Sequence, residues 1–145
     1  MAHHGSSSIS IDSSKQEIFD VIADIDAYPE WLSDIKQVEV LERDDDGRAL
    51  VCTMTVDVTI RTVTYTLEYD WNAPDGVSWK SRPGGDVKYI EGSYDLELND
   101  DGTTQARYDL TIDPGFPVPG FMLKKALRHI TKAALDGLKL RTEQN

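Results

Sequence analysis

A reaction run without a bound cofactor needs an acid, a base or a nucleophile held in place, and the 145-residue chain offers few candidates. His129 is the only histidine inside a patterned segment, because His3 and His4 belong to the N-terminal stretch. It falls at the border of a helical apolar face, the position of a partly exposed and hydrogen-bonded histidine. Cys52 has Leu50, Met54 and Val56 as neighbours at alternating positions and reads as a buried small residue. A single cysteine excludes an internal disulfide. No Cys and His set has the spacing of metal ligands, and Pro83-Gly84-Gly85-Asp86 precedes a strand rather than the helix that a phosphate cradle requires. No metal and no cofactor is therefore expected. The carboxylates fall in turns or at outward strand positions, and Asp44-Asp45-Asp46 is a solvated turn.

Two residues keep a catalytic possibility open. Arg61 shares strand parity with Val63 and Tyr65, which turns its guanidinium either toward the concave side of a sheet, to steady a ligand oxygen or an enolate, or outward at the rim. Tyr65 is the second. Around them lies a set of inward amphipathic rings: Tyr65, Tyr69, Trp71, Trp79, Tyr94 and Tyr108. Such rings either pack against a helix or line a small-molecule cavity of about 300–1,000 Å³. The candidate ligand-binding residues on the sheet are Met54, Val63, Tyr65, Leu67, Trp79, Tyr94 and Tyr108. From the helix that faces them come Leu127 and Ile130.

The elements that must position these residues follow from the pattern. Ser8-Ile9-Ser10-Ile11 alternates as a half-buried strand does, and Asp12-Ser13-Ser14 with Glu17 supplies an N-cap at capping-box spacing. Ile18, Phe19, Ile22 and Ile25 form the apolar stripe of the helix that follows, and Pro29 opens a short second helix presenting Trp31 and Leu32. From Ile35 to about Asp113 the chain reads as successive antiparallel strands, punctuated by Gly-, Asn- and Asp-rich turns. Leu50, Cys52, Met54, Val56 and Val58 share one face. Ile90, Gly92, Tyr94, Leu96 and Leu98 form another inward row, and Ala106, Tyr108, Leu110 and Ile112 a third. The tip at Asp57-Val58-Thr59-Ile60-Arg61 lacks turn chemistry and is unusually apolar. Pro114 to Phe121 then breaks the sheet, and a last helix runs from about Phe121 to Arg141, with Leu123, Leu127, Ile130, Ala134 and Leu138 on one face. The expected organisation is a flexible N-terminus over 1–7, one domain over 8–141 and a tail over 142–145.

Composition narrows the partners. Fifteen Lys and Arg against 26 Asp and Glu leave a formal net charge of −11, which disfavours nucleic acid at long range. No apolar run approaches the roughly 18 residues of a membrane span, so no stable membrane insertion is expected. The N-terminal residues lack the pattern of a secretory signal, and a cytoplasmic location is the default expectation.

With Ile22-Ala23-Asp24-Ile25-Asp26-Ala27-Tyr28-Pro29-Glu30-Trp31 placed after the first strand, the chain resembles the START-like polyketide cyclase/dehydrase and lipid-transport superfamily (SRPBCC). Specifically, it resembles the actinobacterial branch that is itself similar to coenzyme Q-binding proteins. The resemblance spans Ser8 to about Arg141. It implies an α+β helix-grip fold: a seven-stranded curved antiparallel sheet wrapped around a long C-terminal helix, with two short helices after the first strand. It also implies a cavity for lipids, sterols, quinones or polyketides, entered near the loop before the last helix. In that setting Val58 and Ile60 would meet Phe116, Val118 and Phe121, either as a portal or as a seal on the core. Three functions are then expected in order: a carrier or binding protein for an apolar lipid, quinone, isoprenoid or polyketide; a polyketide aromatase/cyclase or dehydratase; and an interaction module with a filled cavity, its protein partner unknown.

Overall fold

Ser14 starts the first helix as read: its backbone is extended, with φ −72° and ψ 157°, and its Oγ accepts the Glu17 N–H at 3.2 Å. In the computed structural model, which describes residues 2–58 and 61–144, this helix is α1 (Lys15–Ala23), preceded by strand β1 (His3–Ile11). A single 3₁₀ turn (Ile25–Ala27) leads into the short helix α2 (Tyr28–Trp31). Then come β2 (Ile35–Arg43), β3 (Ala49–Asp57), β4 (Thr62–Asn72), β5 (Gly76–Ser81), β6 (Tyr89–Leu98) and β7 (Thr104–Asp113), and the chain ends in α3 (Gly120–Glu143).

The seven strands make one antiparallel sheet in the order β1-β7-β6-β5-β4-β3-β2. Consecutive hairpins place β2 to β7 side by side. The α1 and α2 crossover carries the chain from one sheet edge to the other. Ile18, Phe19 and Ile22 are fully buried from α1, as are Leu127, Leu135 and Leu138 from α3. The core is therefore the space between the concave sheet face and these two helices. Helix α3 lies chiefly along β1 and β7 and touches α1 and α2.

Three expectations are corrected. Residues 1–7 are not a flexible arm from His3 onward, because His3 to Ile11 pair with Ile112 to Thr104 along the whole of β7. The polar, small-residue composition that reads as flexible has a packing cause. A Cβ at Gly5 would stand 3.1 Å from the Leu127 Cβ, and Ser7 Oγ lies 3.2 Å from the buried Thr131 Oγ1, so this strand needs small residues for α3 to come so close. At the other end α3 runs past Arg141, and Thr142 is buried within it, its hydroxyl donating to the Leu138 carbonyl at 2.7 Å. Finally, the inward row of β3 does not begin at Leu50. Register shifts between Val40, Glu42 and Arg43 leave Leu41 and Leu50 as extra residues, 49% and 37% exposed, while Ala49 joins the core and Val51 is buried opposite Glu68. Leu98 likewise runs out of the core at the end of β6 and is 68% exposed.

Candidate ligand-binding interior

Strand register builds the interior wall. Tyr65 stands opposite Met54, Val63 opposite Val56 and Leu67 opposite Cys52. Tyr69 faces Trp79, and Tyr94 faces Tyr108. Met54, Val63, Leu67, Trp79, Tyr94, Tyr108 and Leu127 are all buried in one cluster, with Tyr65, Tyr69, Trp71 and Ile130 packed against it. Every candidate ligand-binding residue thus belongs to one continuous interior. The rings form an unbroken path of contacts. Phe19 meets Trp71 edge-on at 5.8 Å, and Trp71 stacks on Tyr69 at 5.6 Å. Tyr69 contacts Trp79 at 6.1 Å, Trp79 contacts Tyr94 and Tyr108 at 5.6 Å each, and the two tyrosines meet at 4.8 Å.

Gly92 makes this wall possible. It lies opposite Trp79 in the β5–β6 register, and a Cβ there would fall 2.6 Å from the indole ring. Without that Cβ the indole lies flat on the neighbouring strand instead of standing into the interior. Trp71 is anchored differently, donating from Nε1 to the Ala49 carbonyl at 2.7 Å.

The polar groups of the interior are nearly all phenols, and their partners differ. The Tyr28 hydroxyl donates to the Ile22 carbonyl. Among the described residues, the hydroxyls of Tyr65, Tyr69, Tyr94 and Tyr108 have no hydrogen-bond partner. Yet no fully enclosed side-chain nitrogen or oxygen among those residues is left unpaired. The four oxygens therefore each keep some accessible surface. Burial pushes the acid range of all four phenols above that of an ordinary tyrosine, with neighbouring phenols adding to the shift of Tyr69, Tyr94 and Tyr108 and the Cys52 thiol adding to that of Tyr65. Burial likewise pushes the Cys52 thiol up to about 11. The arrangement is an apolar interior with phenol hydroxyls along the sheet face, the chemistry that would suit an apolar body carrying an oxygen.

Arg61 does not project into this chamber. It is exposed at the tip between β3 and β4, where Val58 N–H donates to the Arg61 carbonyl at 2.9 Å and Arg61 N–H returns a bond to Val58 at 3.1 Å. Its guanidinium sits over the Phe116 ring, 4.6 Å from the centroid. It shares the parity of Val63 and Tyr65, but β4 begins only at Thr62, so the parity does not turn it inward. The tip and the loop before α3 do meet. Phe116 lies under Arg61, and Val58 and Val118 are half-buried against the core. Phe121 does not join them and is 75% exposed. Ile60 lies outside the described residues. Beside the loop is a depression of about 460 Å³ bordered by His3, Lys88, Asp113, Phe116, Val118 and Leu123.

Sequence reasoning missed the role of Gly92, visible only once the register sets it against Trp79, and the buried Thr131, Leu135 and Val87. His129 is exposed, its Nε2 3.4 Å from Asp34 Oδ2, as a surface histidine would be. Among the described residues no group of three or more His, Cys, Asp or Glu is arranged to hold a metal ion. No described helix is long and apolar enough to cross a membrane.

A curved antiparallel sheet gripping a C-terminal helix over an apolar, phenol-lined interior defines the helix-grip class. The family model for polyketide cyclase / dehydrase and lipid transport matches residues 11–139, and the chain belongs to that family. It is similar to a START superfamily protein from Mycobacterium smegmatis, with a TM-score of 0.88 at 24% identity and 98% of each chain covered. It is also similar to the Zhui aromatase/cyclase from Streptomyces sp. R1128, with a TM-score of 0.85 at 18% identity over 99% of this chain and 95% of that one. The di-domain aromatase/cyclase BexL aligns over 98% of this chain and 50% of its own, with a TM-score of 0.79 at 15% identity. No curated protein matches the sequence.

Proposed function

We propose that this protein binds an apolar small molecule, of lipid, quinone, isoprenoid or polyketide class, between α3 and the concave sheet face, and serves as its carrier. The observation that carries this reading is the set of four interior phenolic hydroxyls, on Tyr65, Tyr69, Tyr94 and Tyr108, that have no hydrogen-bond partner among the described residues. A filled core would have paired or excluded them. Met54, Val63, Leu67, Trp79, Leu127 and Ile130 supply the apolar surface around them. Affinity then comes from area removed from water, at about 25 cal/mol per Å², and orientation from one or two phenol donors.

Similarity to aromatase/cyclases favours a second reading, in which the chamber folds a reactive polyketide and a phenol such as that of Tyr65 donates to a developing enolate. General acid or base catalysis near neutral pH is a poor fit. The interior titratable groups named above are phenols and one thiol, all with raised acid ranges, and Arg61 stands outside on Phe116. The carrier reading is tested by native mass spectrometry of the protein purified from its own host, followed by denaturing extraction. A stoichiometric apolar molecule is expected. Protein that arrives empty and also binds none of a panel of fatty acids, quinones and polyketides would overturn the reading.

A further inference from the structure

The two ends of the sheet differ in charge. The turns after β2, β4 and β6 share one end and carry Asp44, Asp45, Asp46, Asp75, Asp100 and Asp101. At the opposite end are the Val58–Arg61 tip, the loop before α3 and the first turns of α3. From Pro114 to Leu135 the chain has no acidic residue, although Asp and Glu outnumber Lys and Arg by 26 to 15 overall.

On this end Phe121, Lys124, Lys125 and Arg128 follow one another at i, i+3, i+4 and i+7, a single stripe on the outer face of α3. All four are exposed, Phe121 to 75%, and Met122 beside it is 38% exposed. Among the described residues Lys124, Lys125 and Arg128 have no carboxylate partner. The cations further down the helix do: Lys132 pairs with Asp136 at 2.6 Å, Lys139 with Glu143, and Arg141 with Glu30 at 3.1 Å. Carboxylates that lie near the stripe's end are engaged, Asp34 by His129, Asp57 by Thr62 and Asp86 by the Thr64 N–H at 2.9 Å.

We propose that this end is a docking surface for an anionic lipid bilayer. Phe121 leads, and at 1.5 Å per residue Lys124 to Arg128 stand about 4–11 Å behind it along the axis. That spacing suits an apolar tip sunk roughly 5–10 Å into the headgroup boundary with cations at the phosphates. The loop that accompanies Phe121 also suits an interface. Pro114, Pro117 and Pro119 have no N–H to desolvate, and no charged side chain lies between Asp113 and Lys124. The net negative charge does not prevent approach. The acidic turns lie a strand length away, about 30 Å, against a screening length of about 8 Å at physiological salt. A ligand entering beside Phe116 and Val118 would then pass directly between bilayer and interior, yet the surface can be tested without any ligand.

The test is flotation of the full chain with vesicles of phosphatidylcholine alone and of phosphatidylcholine mixed with phosphatidylglycerol, at low and high salt. Binding is expected only on the anionic vesicles, weakening as salt rises. Each basic residue at an anionic surface strengthens binding about fivefold, so Lys124→Gln/Lys125→Gln should weaken it about 25-fold. Phe121→Ser should weaken it roughly tenfold or more. Both variants change exposed side chains, and unaltered thermal unfolding would show that the fold is kept. Absence of binding to anionic vesicles would overturn the proposal, as would equal binding to neutral ones or variants that bind like the parent. Concentration-dependent self-association abolished by Phe121→Ser, with no vesicle binding, would assign the surface to a second copy of the chain instead. Failure here leaves the extraction result for the ligand untouched, so the two readings fall separately.

Discussion

Replacing tyrosines by phenylalanine separates a chamber from a filled core. Tyr28→Phe removes a buried hydroxyl that donates to the Ile22 carbonyl and leaves that carbonyl without its partner, a loss of about 1–3 kcal/mol. Tyr94→Phe and Tyr108→Phe remove hydroxyls that have no protein partner among the described residues and are shielded from bulk water. An unpaired buried hydroxyl is unfavourable by about 1–3 kcal/mol in proteins, and water in the chamber offsets part of this. Their removal should therefore change stability by between zero and about +1 kcal/mol. Because the two rings touch at 4.8 Å, their effects can couple, and the double variant completes the cycle. Urea unfolding followed by circular dichroism and tryptophan fluorescence reads all four proteins, with an unchanged slope confirming a common unfolded state. A Tyr94→Phe loss above about 1 kcal/mol, matching that of Tyr28→Phe, would mean that the hydroxyl is held in a packed core, and the chamber argument would fail.

Three more outcomes follow from the same geometry. Gly92→Ala places a methyl 2.6 Å from a buried indole and should destabilise by about 1–3 kcal/mol, with a shifted tryptophan emission; a neutral result would show that Trp79 does not lie on Gly92. Stability should fall in alkali, because Cys52 and the interior tyrosines have acid ranges raised by folding. Unfolded thiols and phenols ionise near pH 8.5 and 10 while the folded groups stay neutral, so the urea midpoint should hold up to about pH 8 and drop from there toward pH 11; a flat midpoint would contradict the burial. Arg61→Gln should loosen the tip from Phe116 and speed exchange of a bound fluorescent fatty acid without changing stability by more than about 1 kcal/mol; unchanged exchange would show that the Arg61–Phe116 contact does not gate the interior.

The hairpin pattern, the inward face and the gripping helix were all legible, because each rests on a period that side-chain chemistry imposes locally. What escaped the sequence depends on two elements at once. His3 to Ser7 look like a tail because a strand pressed against Leu127 and Thr131 must be made of small polar residues. Leu50 breaks its row because a register irregularity with β2 intervenes, and no property of β3 alone announces it. Gly92 is meaningful only opposite Trp79.

The same distinction explains why the fold was easier to read than the site. Parity says which face a side chain takes but not whether the strand persists far enough to deliver it. Arg61 has the parity of Tyr65 and sits four residues from it, yet the tip turns at Val58 and the guanidinium is caught by Phe116 from the other side of the mouth. An arginine there cannot stabilise charge deep in the chamber without giving up that ring. On the proposed reading, its physical effect falls on entry to the interior rather than on chemistry within. If the interior holds the proposed ligand, its recognition falls to apolar area and to four phenols whose hydrogen bonds, unmet among the described residues, a ligand oxygen would satisfy.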